Sequence, residues 1–141
     1  MSGEINMPNG SKLSVGLKRT IVDPEAPNDP GHYDVDFAQV EVRDGRYSYV
    51  LVDNRKRSAA DFVEGINKGE PLERHQRVGP NVEVTVAFSP QDDGQTPAAI
   101  AAAGGVTGPN LSTSPQRRRI GALTSSPYWT LVVDREFPKP S

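Results

Sequence analysis

The sequence predicts a mainly β fold, an antiparallel β-sandwich or open barrel with one short α-helix. Three observations point there. Apolar and polar residues alternate through several runs, the period of a half-buried strand. Between two such runs, Asp44-Gly45 offers the two positive φ angles of a type I′ hairpin turn. The 141 residues include 13 Gly and 13 Pro, which interrupt helices almost everywhere. The length fits one domain, read as 12–137, with a flexible arm at 1–11 and a C-terminal tail at 138–141.

The arm is polar and carries Gly3, Pro8 and Gly10. A first strand follows, with Leu13, Val15 and Leu17 on one face. Pro24, Pro27 and Pro30 then make 23–31 a stiff acidic loop. Tyr33, Val35 and Phe37 alternate with Asp34 and Asp36 before the apolar phase shifts to Val40 and Val42. Either a β-bulge near Ala38-Gln39 or burial of both faces accounts for that shift.

Around the hairpin turn the register sets Arg43 opposite Arg46, Val42 opposite Tyr47 and Val40 opposite Tyr49. Val50-Leu51-Val52, apolar on both faces, reads as the continuation of a central strand. The packed helix follows. Ser58 caps it, Asp61 completes the capping pattern, and Gly69 and Pro71 stop it, so that Phe62 and Ile66 are expected to lie on the sheet.

Leu72 to Val78 is a candidate short strand, and 81–88 a clear one with Val82, Val84, Val86 and Phe88 on its buried face. A long loop spans about 91–116. Within it Thr96, Pro97 and Gly104 would bound a brief alanine helix with little to bury, and Gly104 to Gly108 reads as a mobile stretch. A last strand at 126–137 carries the only tryptophan, Trp129, and is expected to close the sheet.

The absence of cysteine excludes a disulfide framework, Cys-ligated metals and a thiol nucleophile. The residues show no signal-peptide pattern and no apolar run long enough to cross a bilayer, so a soluble protein of the cytoplasm or a virion, without a membrane partner, is expected. The P-loop, G-x-S-x-G and H-E-x-x-H patterns are all missing, and His32 and His75 are far apart. No catalytic residue, cofactor or metal is assigned. The acidic residues Asp23, Glu25, Asp29, Asp34 and Asp36 match no EF-hand spacing.

What remains is charge. Arg55-Lys56-Arg57 and Arg117-Arg118-Arg119 form two basic clusters, while residues 23–44 are acidic. Complementary patches on one small chain suit self-association. The leading expectation is therefore a non-enzymatic structural protein that binds its own copies or a larger assembly, in the manner of a small viral coat, decoration or tail-connector protein. Its interaction residues would be Arg55, Lys56, Arg57, Arg117, Arg118, Arg119, Asp34 and Asp36. The alternatives are a nucleic-acid-binding module using the two clusters, and a small enzyme with its site under the 91–116 loop. A net charge of −2 and the lack of aromatic residues beside either cluster weigh against nucleic acid.

Overall fold

The computed structural model describes residues 2–121, 124 and 126–138. Three residues of the expected tail, 139–141, lie outside them. The strands are β1 (Ser2–Glu4), β2 (Lys12–Val22), β3 (Gly31–Glu41), β4 (Arg46–Ser48), β5 (Arg77–Phe88), β6 (Arg117–Ile120) and β7 (Tyr128–Pro138). Two short helices, α1 (Ala59–Asn67) and α2 (Pro97–Ala103), join 3₁₀ turns at Leu72–Arg74 and Pro109–Leu111. The chain is mainly β, as the alternation predicts, with two antiparallel sheets: β1-β4, and a five-stranded sheet ordered β3-β2-β5-β7-β6. The residues group into two compact units. Of the described residues, one comprises those within 2–15, 38–50 and 85–133, the other those within 16–37, 51–84 and 134–138.

In the second unit Leu17, Ile21, Val35, Ala59 and Val63 form a buried cluster, flanked by Tyr33, Leu51, Val78, Val82 and Val84. The period-2 stripe of β2 continues beyond Leu17 through Arg19 to Ile21, so a guanidinium occupies a core-facing position. It is held there by Asp53 Oδ2 at 2.9 Å and by the Gly79 carbonyl at 2.8 Å, because a buried charge needs a counter-charge and hydrogen bonds.

Helix α1 starts where the capping pattern predicts, with Ser58 Oγ accepting from the Asp61 amide. Its buried residues, however, are Ala59 and Val63, whereas Phe62 and Ile66 remain 36% exposed. Phe62 nonetheless reaches the sheet as expected, stacked on Tyr33 of β3.

In the first unit Leu13, Val15, Val42, Val86, Phe88, Ala99, Ala103 and Leu111 are buried. The hairpin turn forms as read, with φ of 53° at Asp44 and 74° at Gly45 and an Arg43–Arg46 bridge. Beyond that bridge the expected pairing gives way to another. β4 pairs with β1, Ser2 facing Ser48, Gly3 facing Tyr47 and Glu4 facing Arg46. Three residues of the segment expected as an arm, Ser2–Glu4, thus form a short strand, and Ile5 extends the contact by donating its amide to the Gly45 carbonyl at 2.8 Å.

Two further expectations are corrected. Residues 50–52 are not a strand: Val50 is 70% exposed, and the Val52 amide donates to the Asp36 side chain instead of a neighbouring strand. The last strand does not close the sheet, since β7 lies inside it and β6 forms the edge.

The long loop is organised by local caps and by contacts to remote parts of the chain. Gln95 acts as a strand surrogate, its Oε1 accepting from the Lys12 amide at 2.8 Å and its Nε2 donating to the Lys12 carbonyl at 3.0 Å. Helix α2 is capped by Thr96 and ended by Gly104, as its pattern predicts, and it buries Ala99 and Ala103. Gly108 marks a close approach: at φ of 65°, a Cβ there would lie 2.7 Å from the Trp129 carbonyl oxygen.

Candidate functional site

The site is built on β3 and the segment after residue 50. Side chains alternate along β3, so Tyr33, Val35 and Phe37 share one face and Asp34 and Asp36 the other. Val35 and Asp36 are both 0% exposed, so both faces are covered at this point, whereas Phe37 and Gln39, where the apolar phase shifts, are exposed. Asp36 therefore does not meet a partner as an exposed acidic residue would. Its Oδ2 accepts from the Val52 amide at 2.8 Å and faces Arg55 Nη1 at 3.5 Å, while Oδ1 accepts from the Phe37 amide at 3.0 Å. Asp34 is half-buried.

Asp36 fixes the first basic cluster. After Val52, Asn54 turns the chain at φ of 63°. The amides of Lys56 and Arg57 then donate to the Val35 carbonyl at 3.0 and 3.4 Å. One carboxylate and one carbonyl thus tether the segment to β3, leaving Arg55, Lys56 and Arg57 exposed.

The tether sets the Arg57 guanidinium carbon 5.3 Å from the centroid of the Phe37 ring and 5.9 Å from that of Tyr33, both within cation–π range. Tyr33 stacks in turn on Phe62 of α1, with centroids 4.0 Å apart and planes 7° from parallel. Phe37 and Phe62 are 40% and 36% exposed. The result is a pre-arranged surface of three rings and one guanidinium, beside two more cations.

The second basic cluster is β6. Arg117, Arg118 and Arg119 face Leu131, Thr130 and Trp129 across the ladder. Arg119 lies over the Trp129 ring at 5.2 Å, and Arg117 Nη1 donates to the Ser114 carbonyl at 3.1 Å. Charged residues on an edge strand also discourage further strand pairing. Arg55–Arg57 belong to the second unit and Arg117–Arg119 to the first.

Both clusters therefore have aromatic neighbours that linear inspection misses, because Tyr33, Phe37 and Trp129 lie away from the arginines in sequence. For Arg119 and Trp129, a strand–turn–strand reading of 117–131 would have supplied the signal. For Arg57 no local signal exists.

The charge segregation seen in the sequence is partly resolved within the chain. Asp36 faces Arg55, Glu25 faces Arg74 at 3.3 Å, and Glu41 engages both Lys12 and Arg43. The Lys12 hydrogen bond, followed by the Arg43 charge, holds the Glu41 carboxyl below its usual range. Burial pushes the Asp92 carboxyl up, and the nearby Asp93 charge acts in the same sense.

His32 Nε2 lies 3.2 Å from Glu83, and His75 Nε2 lies 2.8 Å from the Glu70 carbonyl oxygen. Among the described residues no group of three or more His, Asp and Glu side chains gathers as a metal site, and no helix is long and apolar enough to cross a membrane. No protein family, curated protein or solved structure matches the chain.

Proposed function

We propose that this chain is a non-enzymatic module that joins a protein assembly, its own copies or a larger particle such as a virion, through the aromatic–arginine surface of the second unit. The observation that carries the reading is Arg57 set against Tyr33 and Phe37, with Tyr33 stacked on Phe62 and two of the rings well exposed. Aromatic residues and arginine dominate the energetics of protein interfaces. Rings already fixed by stacking lose little freedom on docking, which lowers the entropic cost of association.

Light scattering after size exclusion, run over a range of concentrations, tests this reading. The expected result is a defined multimer free of nucleic acid that dissociates in the Phe37→Ala/Phe62→Ala variant while its circular dichroism is unchanged. A chain that stays at 15.3 kDa throughout removes self-association and leaves only attachment to another protein.

A second reading, binding of single-stranded nucleic acid, is favoured by the rings beside both basic clusters, since bases stack on aromatic side chains while arginines neutralise phosphates. A labelled oligonucleotide followed by anisotropy would then bind more weakly as salt rises from about 50 to 200 mM. Arg117→Ala/Arg119→Ala would flatten that slope.

A further inference from the structure

We propose that residues Ser2–Met7 are an exchangeable arm, seated on their own hairpin in a free chain and delivered to the same seat on a second copy at high concentration. The inference concerns the first unit alone and uses no residue of the Arg57 surface.

The seat is complete and specific. Three residue pairs join β1 to β4 in a two-stranded sheet of their own. The Tyr47 ring lies so close over Gly3 that a Cβ there would meet it at 2.5–2.9 Å. Past the ribbon, Ile5 and Met7 line a hollow of about 320 Å³ whose other walls include Leu13, Phe88 and Leu131 together with Ser114 and Gln116.

What fits this seat in cis fits it in trans, because a second copy offers the same backbone edge, the same ring and the same hollow. An isolated ribbon of this size is marginal in water, so lifting the arm costs little beyond uncovering apolar surface. A neighbour's arm re-covers it. The pivot is the turn from Pro8 to Ser11, closed by the Ser11 amide donating to the Pro8 carbonyl at 3.1 Å and its hydroxyl at 2.6 Å.

The far end of that turn is fastened. The Gly10 amide donates to Val42 and the Val42 amide to Ser11, each at 2.9 Å. Only the residues before Pro8 need move, the six from Ser2 to Met7 forming the arm. Extended, they reach roughly 20 Å, enough for two adjacent hairpins to trade arms. Exchange of an identical element is a low-cost route to a dimer.

The cysteine-free sequence allows a direct test. Ser2 and Ser48 are exposed and directly opposed, within the reach of a disulfide. Ser2→Cys and Ser48→Cys single variants are mixed over a range of concentrations, oxidised with copper phenanthroline and resolved on a non-reducing gel. A Ser2→Cys and Lys68→Cys mixture gives the collision background.

The expected result is a Ser2→Cys/Ser48→Cys heterodimer at least about fivefold above that background, rising with concentration. Heterodimer at background level throughout overturns the proposal. The Ser2→Cys/Ser48→Cys double variant checks the seat: it should close within one chain when dilute and between chains when concentrated. No cross-link of either kind would mean that β1 does not sit on β4, and the proposal falls. Repeating the mixture in the Phe37→Ala/Phe62→Ala background separates the two surfaces, since arm exchange persists there even if association through the Arg57 surface is lost.

Discussion

Asp36 is the residue through which the fold carries its exposed surface, and replacing it should loosen both. Asp36→Ala removes the acceptor of the Val52 amide at 2.8 Å and of the Phe37 amide at 3.0 Å, along with the charge facing Arg55. Hydrogen bonds to a charged group contribute about 1.5–3 kcal/mol each. The upper sum is not reached, because Val52 and Phe37 are about two-fifths exposed and water can satisfy part of what is lost. Arg55 is exposed enough to be solvated alone. Removing the carboxylate also removes its desolvation cost, which offsets part of the loss. The net expectation is a destabilisation of about 2–3 kcal/mol.

Urea unfolding followed by circular dichroism and Trp129 fluorescence measures it. With an m-value of about 1–3 kcal/mol/M, the midpoint should fall by about 0.7–3 M with little change in slope. Asp36→Asn, which keeps one acceptor, should lose only about 1 kcal/mol. Hydrogen exchange should quicken at Val52, Lys56 and Arg57 before the rest of the chain, since those amides hang on the Asp36–Val35 stretch. An Asp36→Ala midpoint equal to that of the wild type would show that desolvation of the carboxylate cancels its bonds, and the tether argument would fail.

Gly79→Ala should cost about 1–3 kcal/mol by overpacking, because the added Cβ would lie 2.4 Å from Thr20 Oγ1 in a buried part of the second unit; a thermal melt reports it. Gly108→Ala should also lower the melting temperature, the new methyl facing the Trp129 carbonyl from a left-handed backbone. The two shifted carboxylates act in opposite directions with pH. Glu41 titrates lower in the folded chain, so its contribution is present above the ordinary glutamate range, about 4.3, and is lost as pH falls through the folded value; the stability gap between wild type and Glu41→Gln should narrow on acidification. Asp92 titrates higher, so the stability its protonated form lends is lost as pH rises through the folded value, and Asp92→Asn should gain on the wild type above that point in urea melts at several pH values.

The features legible in the sequence are those decided within a few residues. Asp44-Gly45 takes two positive φ angles wherever it sits, Ser58 and Thr96 cap the helices that follow them, and β2 shows its alternation without reference to any neighbour. These are local consequences of sterics, capping and period. The β-rich class follows from them.

Features that depend on pairing across the chain were not legible. A row of apolar residues at 50–52 has strand character, yet the buried Asp36 carboxylate claims its amide. The polar first residues carry no strand signal, yet β4 offers them an edge and Tyr47 a ring to lie under. Arg57 meets Tyr33 and Phe37 only because two of the chain's own backbone amides are tied to β3. Sequence by itself determined the chemistry available, six cationic side chains in two runs with no cysteine and no catalytic motif. Tertiary structure alone decided which charges are paired inside, which stand on aromatic rings and which segment lines the hollow beside Leu13 and Phe88, since those outcomes depend on distances through space between residues remote along the chain.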